Sequence, residues 1–277
     1  MKKGNKIKNA GVYALLALLS ILFILPFIWM VRSSLMELQQ IFIMPPEWLP
    51  KPVKLENYIH ALTIVPFAVY FKNTMIVLVL GMLGTLAASS LCAYSFARLR
   101  WRGRDFWFKL ILTSMMLPEA VTLIPKFLGW KALGLVGTFA PLIVPAFFGG
   151  GAFNIFLLRQ FYMSIPFELD EAAIVDGTSY FKIYTSIILP LSRSAMIVIA
   201  IFSFMFYWND FMGPLIYLTN EANYTLALGL QMFQGAYNTR WEQLMAASTT
   251  IIVPCVIIFL SGQKYLLEGI TMTGLKG

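Results

Sequence analysis

The chain has 277 residues, of which 59% are hydrophobic and only 12% charged, and its mean hydropathy is +0.74. Soluble domains carry about a quarter charged residues, so this composition excludes an ordinary soluble domain and places the chain in a bilayer. The formal net charge of +8 does not point to nucleic acid, because the basic residues gather in short segments between apolar runs, where they report topology.

Lys2, Lys3, Lys6 and Lys8 precede an apolar run over about 12–31. That run is long enough for the roughly 20 residues of a spanning helix, and its basic leader places the amino terminus in the cytoplasm. A cleaved signal peptide has a shorter apolar region ending in an A-x-A-like site; none is found, and the run reads as a signal anchor. Residues 33–69 are mixed in composition and interrupted by Pro45, Pro46, Pro50 and Pro52, which predicts an external loop with a short surface helix over 55–62. The second span is expected over 73–96, with Gly81, Thr85, Ala88 and Cys92 forming a small-residue stripe for close helix packing. Arg98, Arg100, Arg102 and Arg104 follow in a cytoplasmic segment and read as a topological anchor.

The third span, 106–127, contains Pro118, Glu119 and Pro125, so its outer half is expected to be kinked and locally unwound. Glu119 is costly at that depth. Two readings stand: a group facing a polar pathway, or a structural carboxylate near the outer interface. The fourth span, 138–158, carries Pro141, Pro145 and the triplet Gly149-Gly150-Gly151, predicting a bend. The fifth, 195–218, is interrupted by Trp208, Asn209 and Asp210. Asp210 is either part of a translocation pathway or a fixed carboxylate capping a helix broken ahead of Pro214.

Residues 219–242 form a second external segment in which the aromatic and amide residues Tyr224, Gln231, Gln234, Tyr237, Asn238 and Trp241 suit either sugar contact or a membrane interface. The last span, 244–260, leaves a short cytoplasmic tail. An all-α membrane protein results, with six transmembrane helices, both termini cytoplasmic, and one domain over 1–277. Cys92 and Cys255 lie in apolar runs and His60 is the only histidine, so no disulfide framework or metal cluster can be assembled. The chain has no phosphate loop, H-E-x-x-H or G-x-S-x-G pattern; two isolated acids without a base or nucleophile favour transport over catalysis.

Between the fourth and fifth spans lies an acidic island on the cytoplasmic side, within a loop over 161–190. Glu168, Asp170 and Glu171 crowd the start of a predicted helix over 167–176, where negative charge suits the helix dipole, and Gly177 can take the left-handed conformation that stops it. A second helix leads to Pro190. Leu169, Ala172, Ala173 and Asp176 fall on one face, giving a narrow surface around which a larger partner could close.

Glu171, Ala172, Ala173, Gly177, Ile187, Leu189 and Pro190 stand at the spacing Glu-Ala-Ala, three residues, Gly, nine residues, Ile-x-Leu-Pro. In this, and in Asp176-Gly177, Trp208-Asn209, Pro214-Leu215 and the ending Glu268-Gly269-Ile270-Thr271, the chain resembles the inner-membrane permease subunits of binding-protein-dependent ABC importers. The likeness is to the carbohydrate-uptake subclass, typified by the smaller six-span permease of the maltose importer. It departs from many relatives at Ser192-Arg193-Ser194, where they place a proline.

The resemblance implies a type I ABC importer permease fold. It also implies that Glu168, Glu171, Ala172, Ala173, Asp176 and Gly177 dock on a separate ATPase subunit. ATP and Mg would be bound by that partner, and no cofactor by this chain. The implied partners are a second homologous permease in a heterodimer, two ATPase subunits, an external substrate-binding protein facing 219–242, and the lipid of a bacterial inner membrane, with no nucleic acid. The tail over 269–277 would lie near the ATPase interface. Rival readings are a permease of the same kind for a polyol, glycerol phosphate or anionic oligosaccharide, an ion-coupled secondary transporter using Glu119 and Asp210, and a membrane enzyme.

Overall fold

The computed structural model describes residues 2–234 and 239–274. Tyr237, Asn238 and the last three residues of the tail lie outside the described residues. Among the described residues four helical stretches are long and apolar enough to cross a membrane, and two bent helix pairs raise the number to six when each pair counts as one span. Among the described residues the only strand-like pairing is a single bridge between Gln234 and Thr239.

The chain forms two compact units, one made of Met1–Phe67 with Gly229–Val253 and the other of Ala68–Leu228 with Pro254–Gly277. In the first, α1 (Lys2–Ser34) contains the expected first span. Its end is tied down by Asn57, whose Nδ2 donates to the carbonyls of Ser34 (2.9 Å), the last residue of the helix, and Met36 (2.8 Å), just beyond it. The loop expected to be external then makes α2 (Leu38–Ile41) and α3 (Glu56–Ile64), the second close to the predicted surface helix. Trp29 packs edge-on against Trp48 and lies under the Arg32 guanidinium.

The second unit is built around α4 (Phe67–Arg98), 32 residues without a proline. Of the expected small-residue stripe, Gly81 and Thr85 are buried while Ala88 and Cys92 are half-buried, and a β-carbon at Gly81 would meet the Tyr207 ring. Bilayer lipid is as apolar as leucine, so helices associate there through close packing and polar contacts instead of a hydrophobic drive. The third span is sharply broken. Helix α5 (Arg104–Ser114) ends before Pro118, and α6 (Glu119–Ala132) leaves at 100° to it. The proline at 118 cannot donate a backbone hydrogen bond and disfavours helical geometry in the residue before it.

The fourth span is α7 (Ala140–Gly149) and α8 (Ala152–Ser164), divided at Gly150 and Gly151, whose φ values are +61° and +86°. Gly150 also admits the backbone of Ser89, which a β-carbon would strike. The acidic island forms α9 (Glu168–Val175) and α10 (Tyr180–Leu191), which bends by 78° into α11 (Arg193–Asn209). After a break at Asp210 comes α12 (Met212–Tyr217).

The last long helix, α13 (Trp241–Gly274), continues well past the expected end at residue 260. Gln263 and Lys264 mark where the apolar run stops, but neither removes a backbone hydrogen bond, so the helix runs on. The core of the second unit joins Ala93, Phe108, Ile155, Leu158, Tyr162, Ala173, Ile183, Tyr184, Ile188 and Ile199, drawn from α4, α5, α8, α9, α10 and α11.

Candidate functional site

Helix α9 is a short acidic rod with a defined stop. Gly177 has φ +76°, the Thr178 N–H donates to Ala173 O (2.9 Å), and the Gly177 N–H donates to Ile174 O (2.9 Å). This paired arrangement closes the last carbonyls of a helix around a left-handed residue. The expected turn at Gly177 is therefore present. Ser179 then starts α10, its hydroxyl accepting from the Lys182 N–H. A π turn over Tyr184–Ile188 lets Ile183, Tyr184 and Ile188 all face the core, a spacing that a regular α-helix would splay apart.

Glu168, Leu169, Glu171, Ala172, Ile174, Val175 and Asp176 are exposed, while Asp170 and Ala173 are buried. Ala173, expected on the docking face, instead turns inward and belongs to the core, with Phe108, Tyr162 and Tyr184 in the same cluster. It seats the helix on its own protein. The outward surface is the acidic and apolar strip from Glu168 to Asp176.

Asp170 marks the seat. Its Oδ2 lies 3.3 Å from Arg98 Nη1, with both side chains almost fully buried. Arg98 Nη2 donates to Ile165 O (2.8 Å), and its guanidinium stands 5.6 Å from the Phe167 ring. Burial pushes the Asp170 carboxyl above the usual carboxylate range, and the Arg98 charge pulls partly the other way. Two more side chains of α4 reach the far side of the island: Tyr94 OH donates to Tyr180 O (2.9 Å), and the Ser90 and Tyr184 hydroxyls are 2.7 Å apart. None of these was marked as a site residue in the sequence, where Arg98 reads as one of four equivalent anchoring arginines.

The interrupted fifth span is a capped break. Asp210 Oδ1 accepts from the Gly213 N–H (3.0 Å) in the first turn of α12, and Asn209 Nδ2 donates back to Met205 O (2.8 Å). Trp208 is buried between Phe204, stacked at 5.4 Å, and the edge of Phe71 at 6.2 Å. Glu119, exposed at the first residue of α6, is close enough to Asp210 for their charges to interact. The structure therefore brings Glu119 and Asp210 to one neighbourhood and places Trp208 in packing. The tilt of the fragments is braced by Phe127 stacking on Tyr217 at 6.3 Å.

The segment 221–226 is held by α4. Asn73 Nδ2 donates to Ala222 O (2.9 Å) and Tyr224 O (3.0 Å). Thr74 Oγ1 accepts from the Leu226 N–H (2.8 Å), and Tyr70 OH donates to Glu221 (3.0 Å). Gln231 and Gln234 are both exposed, on and just after a short 3-10 turn (Leu230–Phe233).

Beside helices long and apolar enough to cross a membrane, the acidic rod and its glycine stop are seated on the protein's own core. The chain belongs to the family described as binding-protein-dependent transport system inner membrane component, whose model matches residues 81–271. It is 34% identical to the trehalose/maltose transport system permease protein of Thermococcus litoralis, over 94% of each chain. It is 32% identical to the arabinooligosaccharides transport system permease protein of Halalkalibacterium halodurans, over 82% of this chain and 81% of that one. In fold it is similar to a chain of a bacterial ABC transporter involved in import of the acidic polysaccharide alginate, at 23% identity with a TM-score of 0.84, covering 95% of this chain and 98% of that one.

Proposed function

We propose that this chain is one of two homologous permeases of an ATP-driven importer for a sugar or oligosaccharide, working with two ATPase subunits and an external substrate-binding protein in a bacterial inner membrane. Both termini lie in the cytoplasm, and residues 1–277 act as one transmembrane domain. The observation that carries the reading is the exposed acidic strip of α9, backed by the buried Arg98–Asp170 pair. A rod that pushes needs a free face for the partner and a fixed face on its own protein.

Glu168 and Glu171 pair with basic side chains of an ATPase cleft, Ala172 permits close approach, and Asp176 and Gly177 end the rod. ATP and Mg are held by the ATPases, and this chain binds neither. Nucleotide closure then shifts the populations of inward- and outward-facing states. Glu119, Asn209 and Asp210 contribute to the translocation pathway, with Trp208 packed behind them. Gln231, Gln234, Tyr237 and Asn238 face the binding protein. The sugar assignment is supported by relatives whose names specify trehalose/maltose and arabinooligosaccharide transport. An acidic oligosaccharide is the second reading, favoured by the fold likeness to the alginate importer.

The test is reconstitution of the complex purified from its native membrane. Substrate-stimulated ATP hydrolysis should fall at least about tenfold, the size of a typical coupling, in Glu171→Arg and in Gly177→Pro. Unchanged assembly and stimulation in both would remove the docking role, and competition among labelled neutral and acidic sugars separates the substrate classes.

A further inference from the structure

We propose that α4 is the strut through which the external segment 221–226 and the rod α9 move as one body, with Asn73 and Thr74 as positioning residues at its outer end and Arg98 at its inner end. The inference rests on the functional reading above only in taking those two surfaces to face partners.

Four bonds from one stretch of α4 hold the external segment, and three of them go to its backbone: Asn73 to Ala222 O and Tyr224 O, and Thr74 from the Leu226 N–H. The fourth joins Tyr70 to Glu221. Asn73 and Thr74 are 6% and 1% exposed, so water cannot replace these bonds when they part. At the other end Arg98, Tyr94 and Ser90 hold Ile165, Asp170, Tyr180 and Tyr184, gripping the rod from its entry to the turn beyond its exit. Midway, Thr85 bonds the Tyr207 hydroxyl at 3.1 Å, two residues before the break at Asn209 and Asp210.

Of the four candidate spans outside the bent pairs among the described residues, α4 alone lacks a proline; the others contain Pro26, Pro141 with Pro145, and Pro254. A helix with its whole hydrogen-bond ladder intact resists bending, whereas proline and glycine breaks are the usual sites of kinks. The joints are therefore at the two ends of the one proline-free member. A displacement of α9 is delivered to 221–226 without a hinge between them, and binding at the outer surface is felt at the rod by the same route.

The experiment uses the reconstituted complex and compares hydrolysis with and without loaded binding protein. The outer joint is cut by Asn73→Ala with Thr74→Val. The inner joint is cut by Arg98→Met with Asp170→Asn, which removes both buried charges together. Each should lower the stimulation ratio by roughly tenfold, with basal hydrolysis of the outer variant unchanged. Combined, they should lower it no further than one alone, because a single series path is already broken. Multiplying effects, or stimulation that survives either cut, would overturn the strut. If the inner variant fails to assemble, Tyr94→Phe with Ser90→Ala cuts the inner hydrogen bonds while keeping the rings, and the same two outcomes decide. A wild-type complex without ATPases or without stimulation would instead sink the importer reading itself.

Discussion

Arg98 and Asp170 are 72 positions apart in sequence and meet with almost no solvent around them. A buried ion pair adds little net stability over apolar packing, yet breaking it from one side leaves an unpaired charge. Arg98→Met alone should therefore cost about 3–5 kcal/mol, and much less when Asp170→Asn is added, as thermal unfolding in detergent would report. The pH dependence has a definite sign. Burial raises the Asp170 pKa above its unfolded value, so between the two the folded state holds a proton that the unfolded state has lost. Stability from this group then falls as pH rises through that window, and an Asp170→Asn variant should lack the fall. The sequence could not single out Arg98, because the positive-inside rule accounts for Arg98, Arg100, Arg102 and Arg104 alike. Their surroundings separate them: Arg100 and Arg102 are exposed, Arg104 bonds its neighbour Asp105, and Arg98 is enclosed. Ala173 misled for a related reason. Facing depends on which side of α9 meets its own core, and the helical pattern alone leaves that choice open.

The breaks in the helices were the most legible elements, since Pro118, the glycine triplet, Gly177 and the Asn209-Asp210 pair each carry a local backbone cause. The bend angles and the π turn were not, because they answer to packing between distant elements. Tyr184–Ile188 carries no local signal that would announce its extra residue; only the inward placing of Ile183 and Ile188 reveals what it accomplishes. Ser192, a departure from the family pattern, proves fully buried at the α10–α11 elbow, where its hydroxyl donates to Ile188 O (2.7 Å) and Leu189 O (3.1 Å). The glycines allow a direct contrast at this scale. Gly150→Ala places a β-carbon on a left-handed residue against the Ser89 backbone and should destabilise by more than about 1 kcal/mol. Gly129→Ala, inside α6 with open space around it, should stabilise by up to about 1 kcal/mol. Unfolding midpoints of the two variants should move in opposite directions.

At the scale of the whole molecule, six spans were legible because hydropathy and charge act over long windows, and among the described residues the structure returns four candidate spans with two bent pairs. The proposed orientation predicts sidedness. With Cys92 and Cys255 in apolar surroundings, Val175→Cys on α9, 87% exposed, should react with a membrane-impermeant maleimide only in inside-out vesicles. Glu221→Cys should react only in right-side-out ones, and the reverse labelling would invert the topology. The length of α4 has a further physical consequence. Asn73 and Arg98 are 25 residues apart along a continuous helix, a rise of about 37 Å, against a hydrocarbon layer about 30 Å thick. Both joints therefore reach past the hydrocarbon over a range of tilts, and tilt answers to hydrophobic mismatch. Acyl-chain length thereby becomes an input to the machine: a thicker bilayer draws α4 upright and changes the spacing, along the membrane normal, between the two surfaces it joins.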